Sequence, residues 1–156
     1  MPARGLAPYN VSMPKPLVVF LHSDNYDRVY QCVNILLTAS SMGRACYLFL
    51  FYGALGSLVA GAWDDEAWSG YGEDTEAQRP WARTLARRFE LSDTPSPRAV
   101  LDRARSEPGG VKVLACSNSV QLLGLEPAAV KRSVDEIVGL STMLEISGGD
   151  CQVFYI

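Results

Sequence analysis

The chain has 156 residues, enough for one domain whose core is stable without cross-links. Hydrophobic residues make up 48% and charged residues 20%, the balance of a globular protein. Fourteen basic against seventeen acidic residues leave a net charge of −3, which offers neither a nucleic-acid footprint nor a polybasic membrane anchor.

Residues 1–16, MPARGLAPYNVSMPKP, hold four prolines and no continuous apolar run of the kind a secretory signal needs. They read as a flexible tail, with Met13 as an alternative start, ahead of a domain over 17–156. The longest apolar runs are far too short to span a membrane. A cytoplasmic, reducing setting is therefore expected, in which Cys32, Cys46, Cys116 and Cys151 are thiols. No CxxC spacing occurs and His22 is the only histidine, so no zinc site, and no other metal or cofactor, is expected.

LVVFL at 17–21 is an unbroken apolar run, as a strand buried on both faces requires. His22, Ser23, Asp24 and Asn25 then offer helix caps. After them Val29, Cys32, Val33, Leu36, Leu37 and Ser40 keep helical spacing up to a stop at Gly43. CYLFLFY at 46–52 predicts a second buried strand, followed by Gly53 and a short apolar helix over 54–60. Ser96-Pro97 opens a helix to about Glu107, and VKVLAC at 111–116 is a third strand. Short helices are expected from Ser117 to near Gly124 and from Pro127 to about Ser133. A strand at 136–140, a helix at 141–147 and a last strand at 151–156 complete the pattern. Glycines mark the helix-to-strand joints and hairpin signals are missing. The reading is α/β: a single three-layer α/β/α domain on a five-stranded parallel sheet.

Residues 61–95 break this rhythm. They carry Trp63, Trp68 and Trp81, and six acids between Asp64 and Glu76. Arg79, Arg83 and Arg87 follow at a spacing of four, and would share a helical face. The segment is read as an insertion packed on the domain, or alternatively as a lid or subunit contact.

In an open parallel sheet, ligands collect outside the carboxyl ends of the strands. His22 and Ser23, Tyr52 and Gly53, Cys116, Ser117, Asn118 and Ser119, and Gly139 through Ser141 all fall there. Cys46 and Cys151 open their strands at the opposite edge, and Cys32 lies on the buried face of the first helix. Those three read as small core residues. Cys116 ends a strand and precedes a helix, where unpaired amides and the helix dipole favour a thiolate, the reactive form. Ser117 and Ser119 add hydroxyl donors. His22 is read either as a base or positive partner for that thiolate, or as a hydrogen-bonded loop residue. P-loop, GxGxxG, GxSxG and HExxH motifs are all missing.

The segment GVKVLACSNSVQLLGLEPAAVKRSVDEIVGLSTMLEISGGDCQVFYI resembles the C-terminal half of DsrE/DsrF-like proteins, the superfamily of the sulfur-relay subunits DsrE and TusD. Its carriers are the strand ending in Cys, the short helix, the Gly-hydrophobic pair and the later VDEIVGL. SMGRACYLFLFYGAL fits the N-terminal half, so the resemblance spans roughly 17–60 and 96–156. It implies a five-stranded α/β/α fold and homo- or hetero-oligomers. It also implies a persulfide on the matching cysteine, which is Cys116 here. The 61–95 insertion is longer than in the compact relay subunits, and SNSVQLLG departs from their sequence.

Three readings follow. The first is a sulfur carrier or sulfurtransferase-like protein, with Cys116 loaded by a sulfur-donor protein and emptied by an acceptor protein. The second is a small-ligand or partner-binding module in which Cys116, with His22, Ser23, Gly53, Ser117, Asn118, Ser119 and Ser141, lines the site. The third is a redox sensor with Cys116 oxidised to sulfenic acid. An accessible Cys116 favours the first or third, and a buried one under an apolar pocket favours the second. A homo-oligomer is expected, with part of 61–95 at a contact, and Cys116 is expected to be the fastest thiol.

Overall fold

The computed structural model describes residues 14–64, 87–88 and 92–156. Five strands form one sheet: β1 (Leu17–Leu21), β2 (Cys46–Leu50), β3 (Val111–Cys116), β4 (Glu136–Val138) and β5 (Gln152–Tyr155). Their order is β4-β3-β2-β1-β5 and every neighbouring pair is parallel. The α/β class and the wholly parallel sheet expected from the glycine-marked rhythm are therefore present.

Helix α1 (Tyr26–Ser41) follows β1, α2 (Tyr52–Val59) follows β2, and α3 (Pro97–Ser106) precedes β3. Short helices α4 (Ser117–Leu122) and α5 (Pro127–Val130) lead to β4, and α6 (Leu140–Ser147) leads to β5. The chain steps from β1 to β4 in one direction and then returns past β1. With right-handed crossovers, the return helix α6 must lie on the opposite face from the others.

The two cores show this division. Leu17, Val19, Leu21, Leu48, Leu50, Val113 and Ala115 pack with α1, α2 and α3. The alternate residues Val18, Phe20, Phe49, Phe51, Leu114, Cys116 and Val138 pack with Met143 of α6. Among the described residues α6 is the main cover of this second face. The outward Leu144 is 70% exposed.

Several boundaries differ from the sequence reading. Strand β2 stops at Leu50 and α2 begins at Tyr52, because Tyr52 takes a backbone φ of 35° that ends the extended run. Strand β4 has three residues, since Gly139 already serves as N-cap of α6. Ser96 does cap α3, its hydroxyl accepting from the Ala99 amide at 3.2 Å. Before α1, the Ser23 hydroxyl accepts from the Asn25 amide at 3.1 Å.

Of the tryptophan-rich insertion, Trp63 lies in a 3-10 turn (Ala62–Asp64) and is fully buried in the main core. Its indole N–H donates to the Ser57 hydroxyl at 2.9 Å. For this tryptophan packing on the domain is the outcome. Trp68, Trp81, Arg79 and Arg83 lie outside the described residues, as do residues 1–13 of the expected tail. No helix among the described residues is long and apolar enough to cross a membrane.

Candidate functional site

The register of the strands places the candidate residues along the carboxyl edge. Leu21 pairs with Leu50 and Leu50 with Ala115, so His22, Phe51 and Cys116 are successive cross-strand neighbours. Cys116 in turn pairs with Val138. This row faces α6. The imidazole of His22 stacks flat on Phe51, with ring centroids 4.4 Å apart and planes within 4°.

That row separates His22 from Cys116. Two strand spacings of about 4.8 Å put their backbones roughly 10 Å apart, with Phe51 between them. The imidazole is exposed and the thiol is not. In this arrangement His22 is an edge residue resting on an aromatic ring rather than a base in contact with the thiol.

Cys116 is 2% exposed, enclosed in the cluster that holds Phe49, Phe51, Val138 and Met143. It is the N-cap residue of α4, yet its side chain makes no capping hydrogen bond. The strand-to-helix position expected from the sequence is present, and the accessible thiol is not. The alternation in VKVLAC turns Cys116 to the same face as Leu114, the face that α6 closes.

Ser117 and Asn118 are exposed in the first turn of α4, Ser141 is exposed in the first turn of α6, and Ser23 is half-buried. Ser119 differs from them. It is fully buried, and its hydroxyl has no hydrogen-bond partner in the structure. Nearly all buried hydroxyls in proteins are paired, which sets Ser119 apart from the other serines of this edge. A side chain on a helix leans toward the N-terminus, which directs Ser119 back over the turn that starts at Cys116.

Two further residues belong here: Asp24, read from the sequence only as a helix cap, and Tyr52, placed at the strand ends but not among the site-lining residues. Gly53 lies so close to Asp24 that a Cβ there would stand 3.1 Å from the carboxylate carbon. The Asp24 side chain thus lies against the start of α2. Tyr52 is the other. It is the one non-glycine residue with positive φ among those described, at 35°. The residue is 45% exposed and its ring centroid is 6.4 Å from that of His22. No local signal marks either residue. Both depend on strand order and on the tightness of the β2–α2 turn.

The other thiols lie elsewhere. Cys32 is in the core beneath α1, and burial pushes its thiol far up. Cys46 opens β2 at the amino edge; burial pushes it up to about 11, partly offset by the nearby Arg44 charge. Cys151 precedes β5 at the same edge and is partly exposed. Among the described residues no three His, Cys, Asp or Glu side chains stand together as a metal site.

No family model and no curated protein matches the chain. Among solved structures it is similar to BT1422 from Bacteroides thetaiotaomicron, described as a conserved protein of unknown function. The TM-score is 0.55 at 11% identity, over 91% of this chain and 95% of that one. At that identity the likeness concerns the fold.

Proposed function

We propose that the chain is a binding module whose carboxyl edge takes a small organic molecule bearing a ring. The ligand lies against Tyr52 and His22, with Ser23, Ser117, Asn118 and Ser141 around the rim and Cys116 in the apolar floor. The observation that carries this reading is the backbone of Tyr52. A non-glycine residue at positive φ costs about 1–2 kcal/mol, and such strain concentrates at ligand clamps and active sites. Here it presents a half-exposed ring beside an exposed imidazole at the edge where parallel sheets bind ligands. The buried, unpaired Ser119 hydroxyl supports the same reading.

Tyr52→Gly separates the two roles of this residue. Glycine accepts positive φ, so relieving the strain should stabilise the fold by about 1 kcal/mol. Binding of a ring probe should fall at the same time. Saturation-transfer NMR with indole as probe should show contact with the wild type and a loss in both Tyr52→Gly and His22→Ala. Equal transfer to all three proteins would refute the site.

A second reading keeps the persulfide carrier that the DsrE/DsrF-like resemblance implies. It is favoured by one observation: of the four cysteines, Cys116 alone stands at the carboxyl edge, directly before a helix. The Cys116 thiolate would attack the outer sulfur of a donor persulfide, breaking its S–S bond and releasing the donor thiolate. Intact mass after incubation with a low-molecular-weight persulfide should then rise by one sulfur, and Cys116→Ser should abolish the gain. A cytoplasmic, reducing setting and self-association into a homo-oligomer belong with either reading.

A further inference from the structure

We propose that two copies of the chain join through β5, antiparallel and centred on Phe154, so that two five-stranded sheets become one. The inference rests on the self-association reading and names its surface. Among the described residues, strand β5 is a sheet edge paired with β1 alone. The amides of Gln152 and Ile156 donate to Pro16 and Phe20, so the even-numbered residues face inward. By strand alternation, Val153 and Tyr155 present their N–H and C=O groups to the open side.

Such an edge is normally blunted by charge, proline or shortness. The other edge is: β4 has three residues, and its Glu136 pairs with Lys112 at 3.1 Å. Residues 151–156, CQVFYI, hold no charged side chain and no proline. Tyr155 is 73% exposed and Phe154 37%.

The geometry selects a second copy as the occupant. The outward groups are symmetric about Phe154. A reversed copy of β5 sets Val153 opposite the partner's Tyr155 and Tyr155 opposite the partner's Val153, each exchanging both backbone hydrogen bonds. All four outward groups are then satisfied by one two-fold axis, which closes the assembly as a dimer. Phe154 meets its own copy across the axis as a non-hydrogen-bonded pair, where side chains approach most closely. On that face it lines an open cavity of about 360 Å³ between α1 and β5, with Ile35 and Met42 on the helix side. The rings of the two copies fill the space that no helix of this chain covers among the described residues.

Two variants test this. Tyr155→Pro removes an outward N–H but none of the ladder to β1, so the fold should survive while self-association weakens by roughly tenfold or more. Phe154→Cys, in a Cys151→Ser background, should form a disulfide between copies under mild oxidation. Non-hydrogen-bonded pairs have Cα atoms about 4.5 Å apart, within disulfide reach. Gln152→Cys, which would face the partner's Ile156, should not. Light scattering should report a dimer for the wild type and a monomer for Tyr155→Pro. A wild-type monomer would overturn both the pairing and the self-association reading, including the case where the Val153 and Tyr155 amides are protected from exchange by this chain's own residues. A dimer that Tyr155→Pro leaves intact would overturn the pairing alone. If Tyr155→Pro fails to fold, the cross-link decides, and its failure in Phe154→Cys overturns the pairing whatever the proline variant does.

Discussion

Gly109→Ala is expected to cost more than about 4 kcal/mol of stability and in practice to prevent folding. A Cβ at this position would stand 2.0 Å from the Arg44 carbonyl oxygen, 2.6 Å from its carbon and 2.8 Å from the Arg44 nitrogen. All three atoms are backbone, so no rotamer change relieves the clash. Nor can either segment easily retreat. The Gly109 amide donates to Ser40 at 2.9 Å, and the Arg44 amide donates to Ala39 at 3.0 Å. Gly110, held at φ 64°, accepts from Cys46 and so ties the same turn to the start of β2. Ordinary overpacking costs about 1–3 kcal/mol where side chains can move aside, and here they are not the obstacle. Gly43→Ala is the control. Nothing lies within 4 Å of its Cβ position, and only its φ of 77° opposes a side chain, so a loss of about 1–2 kcal/mol is expected. Denaturant midpoints for the two variants measure the contrast. Similar midpoints for both would show that the packing of α1 against the α3–β3 turn has been misread.

Much of this fold was legible because strands buried on both faces write unbroken apolar runs. LVVFL, CYLFL and VKVLAC are such runs, and α3 begins where Ser96 and Pro97 place it. The same runs conceal which face each side chain takes. LVVFL puts Val19 under α1 and Val18 under α6, yet both are equally apolar. The surroundings of Cys116 therefore depended on where α6 crosses, which is a property of strand order and not of local sequence. His22 directly follows β1 and Cys116 ends β3, and the order β3-β2-β1 sets Phe51 between them. The end of β2 was hidden for another reason. A glycine would have advertised a positive φ, but the chain places Tyr52 there and Gly53 after it.

Alkylation of the native protein should label Cys151 first and Cys116 well after it, reversing the order expected from strand and helix positions alone. Reaction needs both a thiolate and a path for the reagent. Cys151 is the one cysteine that is not buried. Cys116 does stand before a helix, but that position alone opens no path for a reagent. The residue is 2% exposed behind Phe51, Val138 and Met143, so a reagent the size of iodoacetamide needs local opening to reach its sulfur. Cys46 is pushed up to about 11, which leaves its thiolate about a hundredfold scarcer at neutral pH than in an unburied thiol. Cys32, fully buried beneath α1 and shifted further in the same direction, should be slowest. Peptide mapping over a time course, repeated in guanidinium, checks the order, and the differences should collapse on unfolding. Should Cys116 be labelled first in the native state, its thiol is reached by solution routes that the packing of α6 does not allow. The floor-residue role would then fall, and the persulfide carrier would become the better account of the carboxyl edge.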